Sequence, residues 1–286
     1  MINVFSYVTV LPVRNSISSA ITDHVSCTVT FLNYGSFSMT TDIVTSLQLD
    51  KTYDSSRIIV VKELNGCDSS FITSCVLGHC VKNKNAVFVI SAHNSLQHYH
   101  HVGLKMNYNL QKSVDSGIIN FYDVGEELTN SILDNKCFTS QEIWLKIKEI
   151  LLEMHKKFNS VNVIFDGVSH LFDLQLSIRQ VNEICKELID LIRSLSNSYL
   201  ILKCNVASDD DITYVLANLL SHKANTLAEV ESLSSGLSAD VSGHLTIKYL
   251  SNKYEDDCMY IFEPKSAQYL FKLFDRGVKL LAPGTV

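Results

Sequence analysis

Apolar positions recur along this chain in two rhythms. Short unbroken runs, RIIVVKEL at 57–64, AVFVISA at 86–92, GIINFYDV at 117–124, VNVIFDG at 161–167 and YLILKCNV at 199–206, read as strands. Between them the spacing becomes helical. DIVTSLQL sets Ile43, Val44 and Leu47 on one face of a short helix over 40–50. The turn Asn65-Gly66-Cys67-Asp68-Ser69-Ser70 leads into an apolar segment that reads as a helix to about Val81, and residues 94–106 read as another. Thr139 with Glu142 forms a capping box, a hydroxyl followed by a glutamate three residues on. The helix it opens runs to about Lys157 and keeps Ile143, Trp144, Ile147, Ile150, Leu151 and Met154 on one face. A helix over 174–196 carries Ile178, Val181, Cys185, Leu188, Ile192 and Leu195, and Asp209, Asp210 and Asp211 supply the cap for one over 211–221. The stretch 125–138 is polar and is expected to be an exposed loop.

After residue 225 the rhythm changes. TLAEVESL, GHLTIKYL, CMYIFEP and SAQYLFKLF are short strand-like runs joined by Gly, Asn or Asp turns. Alternating βα units followed by a meander predict one α/β domain, with a mainly parallel sheet extended at its far edge by antiparallel strands. Residues 1–38 stand apart, with only Arg14 and Asp23 charged and two strand-like runs, FSYVTVLPV and HVSCTVTFL. They are expected to be an N-terminal appendage to a domain of residues 39–286. Met39 is a natural start for that domain, and the first stretch lacks the basic flank of a signal peptide.

Composition narrows the class. Across 286 residues, 46% are hydrophobic and 19% charged, which marks a globular chain able to bury a large core. A net charge of −6 argues against a chain that grips nucleic acid alone. Eight cysteines without a CxxC pair suggest reduced, buried thiols of a cytoplasmic or nuclear protein. No apolar run is long enough to cross a membrane as a helix.

The loop at 65–70 sits where a βαβ nucleotide-binding unit carries its phosphate cradle. That chemistry needs convergent glycines, a lysine for the β- and γ-phosphates and a hydroxyl for magnesium. Here Gly66, Ser69 and Ser70 remain, the lysine is missing, and the predicted helix contributes only the anion preference of its N-terminus. Asp166 ends its strand where a P-loop fold holds a magnesium-side carboxylate, with no glutamate poised to activate water. These residues read as the remnant of a phosphate loop. No catalytic residue, cofactor or metal is expected. His93, His98, His100 and His101 crowd one segment without acid or cysteine at ligand spacing, and Cys75 and Cys80 fall five apart on a helix. The stretch SSGLSADVSGHL lacks a nucleophile elbow; Gly236 and Gly243 bracket a loop between strands. The basic pairs Lys82/Lys84 and Lys156/Lys157 have no interleaved aromatics and read as solvated surface. Two competing readings are an active ATPase using Lys62 or Lys82, and a stand-alone RNA-binding module.

Several stretches in order resemble the Elongator complex protein 6 family: SLQHYHHVGLKMNYNL, with His98, Tyr99, Val102, Gly103 and Leu104 matching best; GIINFYDV; VNVIFDGVSHL; LSSGLSADVSGHLTIKYL, the most specific; and YIFEPKSAQYLFKLFDRGV. The resemblance covers about residues 40–284. It implies a RecA-like fold with degenerate nucleotide motifs, in a non-catalytic subunit. It further implies partnership with Elongator subunits 4 and 5 in a hetero-hexameric ring, which binds transfer RNA and docks on the catalytic Elongator subunits for wobble-uridine modification. By the same analogy Gly66, Ser69, Ser70 and Asp166 would lie near a subunit interface, and Asn205–Asp211 would face the ring channel.

Overall fold

In this computed structural model the described residues are 41–51, 55–136, 138–233, 236, 238, 240–250 and 265–282. The expected appendage at 1–38 and the strand-like run CMYIFEP lie outside them. A short helix α1 (Thr41–Ser46) precedes β1 (Arg57–Leu64), α2 (Ser70–Asn83), β2 (Val87–Ser91), α3 (Leu96–Lys105), α4 (Leu110–Asp115) and β3 (Ile119–Asp123). Next come α5 (Val124–Leu133), α6 (Ser140–Phe158), β4 (Asn162–Asp166), a 3-10 turn at Val168–Phe172, α7 (Ile178–Ser194), β5 (Tyr199–Asn205) and α8 (Ile212–Ser221). β6 (Thr226–Glu231), β7 (Gly243–Tyr249), β8 (Lys265–Phe274) and β9 (Gly277–Leu281) complete the described chain.

The strands form one nine-stranded sheet in the order β3-β2-β4-β5-β1-β6-β7-β8-β9. Strands β1 to β6 are mutually parallel, and β7, β8 and β9 continue antiparallel. The continuous apolar runs lie in the middle because helices cover both of their faces there. Period two sorts their side chains between two cores. Ile58, Val60, Phe88, Ile90, Val163, Phe165, Leu200 and Leu202 face α6, α7 and α8. Ile59, Val61, Val87, Val89, Ile164 and Ile201 face the opposite layer, built on α2 with α1, α3 and α4.

Local signals behave as their chemistry requires. Thr139 and Glu142 complete the capping box of α6, and Asp211 accepts from Thr213 N at 2.7 Å to cap α8. Ile43, Val44 and Leu47 are buried, as are Cys75, Cys80, Cys185 and Cys204. Two expectations need correction. Residues 124–133 form α5 rather than a loop: Asp123 caps it by accepting from Glu126 N at 3.0 Å, and acidic Glu126 and Glu127 suit its first turn. Only Val124 of this helix is buried, so no apolar stripe announced it. β6 is also parallel to β1, not part of the antiparallel extension, which begins at β7.

Tyr108 is wedged between α2 and α3. A Cβ at Gly103 would stand 2.6 Å from its ring, one at Gly78 would stand 2.9 Å away, and its hydroxyl donates to Ser74 O at 3.0 Å. The two glycines thus set the spacing of α2, which starts at Ser70, and α3, whose first turn carries Tyr99. Gly103→Ala is expected to lower the unfolding free energy by about 1–3 kcal/mol through overpacking. Urea unfolding checks this, and an unchanged midpoint would remove Tyr108 as the spacer.

Candidate functional site

Three strand ends and one helix start meet above the parallel sheet. Two residues beyond Val61, Ile164 and Ile201, the same alternation carries Glu63, Asp166 and Lys203 onto the α2 side. Lys203 is 1% exposed, and its Nζ lies 2.8 Å from Asp166 Oδ1, 3.3 Å from Glu63 Oε1 and 3.7 Å from Asp68 Oδ1. It also donates to Ser70 Oγ at 3.1 Å. Burial alone would push the Lys203 ammonium down. Asp166, Glu63 and Asp68 outweigh that and hold it above the ordinary lysine value.

The loop before α2 is closed by its own acids. Asn65 and Gly66 both take positive φ, 53° and 71°, to make the turn. Ser69 donates its backbone N–H and its hydroxyl to Glu63 Oε1 at 2.7 and 2.8 Å. Ser70 donates the same two groups to Asp68 Oδ1 at 2.8 and 2.6 Å. The Ser69 and Ser70 amides, which would help cradle a phosphate at the start of α2, are therefore spent on internal carboxylates. Asp68 is opposed by desolvation, but its bonds from Ser70 and the Lys203 charge hold its carboxyl below the usual range.

Asp166 is fully buried and engaged on its other oxygen. Tyr99, from the first turn of α3, donates its hydroxyl to Oδ2, and Asn94 Nδ2 donates to the same atom at 3.3 Å. Ser91 fixes Asn94, accepting from its N–H at 3.1 Å and donating to its carbonyl at 2.6 Å. Burial first, and then the Asp166 charge, push the Tyr99 phenol well above its ordinary value. Cys67, at the rim, is raised to about 11 by burial and by Glu63, Asp68 and Glu231, so its thiol stays protonated near neutrality.

Of the residues singled out from the sequence, Ser69, Ser70 and Asp166 converge in this cluster. Gly66 is exposed at the turn and touches none of it. Neither lysine of the ATPase reading reaches the loop. Lys62 points to the other face, where its Nζ donates to Asn218 Oδ1 at 2.8 Å, and Lys82 lies in the last turn of α2. A divalent cation at Asp166 would have to displace Lys203, and among the described residues no group of three or more His, Cys, Asp or Glu is placed to hold a metal. His93 stacks on His170, with centroids 4.4 Å apart, while His100 and His101 lie 6.0 Å apart. Sequence reading did not place Glu63, Asp68, Asn94 or Lys203 in a site, and it marked Tyr99 only as a position matching the family. The available signal was charge inside apolar runs, at Glu63 in RIIVVKEL and Lys203 in YLILKCNV.

Chemically, the arrangement is a lock. Lys203→Met should cost about 3–5 kcal/mol, because Asp166 and Glu63 stay buried without a counter-charge. Adding Glu63→Gln and Asp166→Asn should recover most of that loss. Urea unfolding compares the three forms, and equal losses in the single and triple variants would exclude charge as the cause. The sign with pH follows from the same groups. Stability linked to Lys203 and Tyr99, whose values are raised, is full below about pH 10 and is lost as pH climbs through their folded values. Asp68, depressed, contributes above about pH 4 and loses that contribution on acidification. The unfolding midpoint is expected to hold between roughly pH 5 and 9 and to drop on both sides. A midpoint still rising from about pH 10 to 11 would contradict the assignment.

Comparison with known proteins agrees with this architecture. A family model described as Elongation complex protein 6 matches residues 43–273. A curated relative, Elongator complex protein 6 of Drosophila melanogaster, is 28% identical over 236 residues, covering 79% of this chain and 90% of its own. The crystal structure of a KaiC-like protein from the hyperthermophilic archaeon Pyrococcus horikoshii OT3 superposes with a TM-score of 0.54 at 10% identity, covering 78% of this chain and 88% of that one. The fold is RecA-like.

Proposed function

The chain belongs to the Elongation complex protein 6 family, and from that membership we propose that it is a non-catalytic subunit of the Elongator complex. In this reading it joins subunits 4 and 5 in a hetero-hexameric RecA-like ring that binds transfer RNA and supports wobble-uridine modification by the catalytic subunits. The observation that carries the non-catalytic part is the filling of the phosphate position. Glu63 and Asp68 take the amides of Ser69 and Ser70, and the buried ammonium beside them, Lys203, is held by three carboxylates. A nucleotide triphosphate would meet negative charge where it needs donors.

Assembly is supported by unpaired apolar surface. α8 has no charged residue in its ten positions, buries Leu216, Ala217 and Leu220, and leaves Ile212, Val215 and Leu219 exposed by 44%, 47% and 41%. A helix apolar on both faces is the mark of one that is covered in its working state.

The test is native mass spectrometry of this chain, alone and co-expressed with subunits 4 and 5, together with ATP turnover by the isolated chain. The expected result is an assembly with two copies of each, formed only when all three are present, and no turnover by this chain. A monomer that ignores both partners and hydrolyses ATP, with loss in Asp166→Ala, would overturn the proposal.

A further inference from the structure

The chain is acidic overall, yet its closing hairpin is basic. Residues 265–281 hold Lys265, Lys272, Arg276 and Lys279 against the single acid Asp275, in a protein of net charge −6. The fold concentrates this charge. β8 and β9 lie at the edge of the sheet, where the α2-side layer covers one face: Phe271 and Val278 are buried there with Leu245 and Ile247 of β7. On the other face no described helix continues beyond α8. The alternation places Lys248 of β7, Leu270, Lys272 and Phe274 of β8, and Lys279 and Leu281 of β9 on the side that no described helix covers.

Two side-chain arrangements characterise this face. Lys272 and Lys279 are direct cross-strand partners, and like charges in that position repel. Phe274, 42% exposed, sits at the hairpin tip beside them, with Lys272 Nζ 5.7 Å from its ring centroid. Asp240 approaches Lys272 only at 3.7 Å from an exposed position, and Glu229 is already paired with Lys248 at 2.7 Å. Lys105, at the end of α3, lines a shallow cleft with Arg276 and Asp275, where the two cations outnumber the one acid.

We propose that this face and the tip of the β8–β9 hairpin bind an RNA strand, with Lys272 and Lys279 on phosphates and Phe274 stacked on a base. An antiparallel sheet face offering an aromatic beside cations is a platform for single-stranded RNA. Charge complementarity selects a polyanion, and the exposed ring favours RNA over an acidic protein surface. This inference rests on the reading of the chain as a subunit of an RNA-binding ring, but it concerns this chain's own side chains. It assigns contact to the hairpin rather than to Asn205–Asp211, whose exposed Asp209 and Asp210 repel phosphate.

The experiment uses the full chain, alone and in the co-expressed assembly, with a fluorescein-labelled transfer RNA followed by anisotropy over a salt series. In Lys272→Gln/Lys279→Gln the slope of log affinity against log salt should fall by about two. Phe274→Ala should weaken binding roughly tenfold with the slope kept. Lys279→Glu should lower RNA affinity while raising the melting temperature, because it turns a repelling pair into an attracting one. That variant also reports that the hairpin is folded. Unchanged RNA binding in variants that assemble normally would overturn the inference and leave the ring proposal standing. Variants that fold but fail to assemble would overturn it too, by making the hairpin a protein interface. If the wild-type chain does not assemble, the ring proposal fails, and the isolated chain's salt slope still decides whether the hairpin holds RNA.

Discussion

The buried ammonium of Lys203 is the constraint on which the carboxyl end of the parallel strands depends. A lysine charge cannot be left in an apolar interior, so it must neutralise or gather partners. Here it gathers Asp166 from β4, Glu63 from β1 and Asp68 from the loop before α2. Each partner is bound further in turn. Glu63 holds Ser69, Asp68 holds Ser70, and Asp166 holds Tyr99 and Asn94. One side chain therefore ties the ends of three parallel strands to the first turns of α2 and α3.

The same network gives the phosphate loop its character. In a RecA-like sheet the N-terminus of the helix after β1 is an anion site by geometry, since its amides and dipole point outward. In this chain the anion is built in. Carboxylates of the protein occupy the Ser69 and Ser70 donors, and the Lys203 cation is held against the same carboxylates. The loop keeps the shape its fold requires while its ligand chemistry is satisfied internally. The surface differs from this interior, with an uncharged helix at α8 and a cationic hairpin at the far edge of the sheet.

How much of this was legible depended on the range of the cause. Caps are local: Thr139 with Glu142, and Asp211 ahead of Ile212, were readable because donor and acceptor lie within one turn. Continuous apolar runs marked the strands covered on both faces. The helix at 124–133 was hidden because it buries almost nothing and displays Ile132 and Leu133, 64% and 74% exposed, toward solvent. The direction of β6 was hidden because side-chain alternation is the same in parallel and antiparallel strands, and only its pairing with β1 settles it. Ser69, Ser70 and Asp166 were found by their places at a strand end and a helix start, whereas Gly66, equally marked, turned out to shape the turn without touching the cluster.

The sequence by itself determined the α/β class, the order of the central elements, the family resemblance and the absence of a phosphate-loop lysine. These follow from residue identity and spacing within a few turns. Only the tertiary structure decided what replaces that lysine's chemistry. Lys203 stands 133 positions from Ser70 and 37 from Asp166, and nothing in local periodicity tells a buried charge which distant acid will neutralise it. The opposed pair Lys272 and Lys279 likewise exists only once the hairpin register is set. Coulomb forces act through space, and the fold alone determines which charges become neighbours.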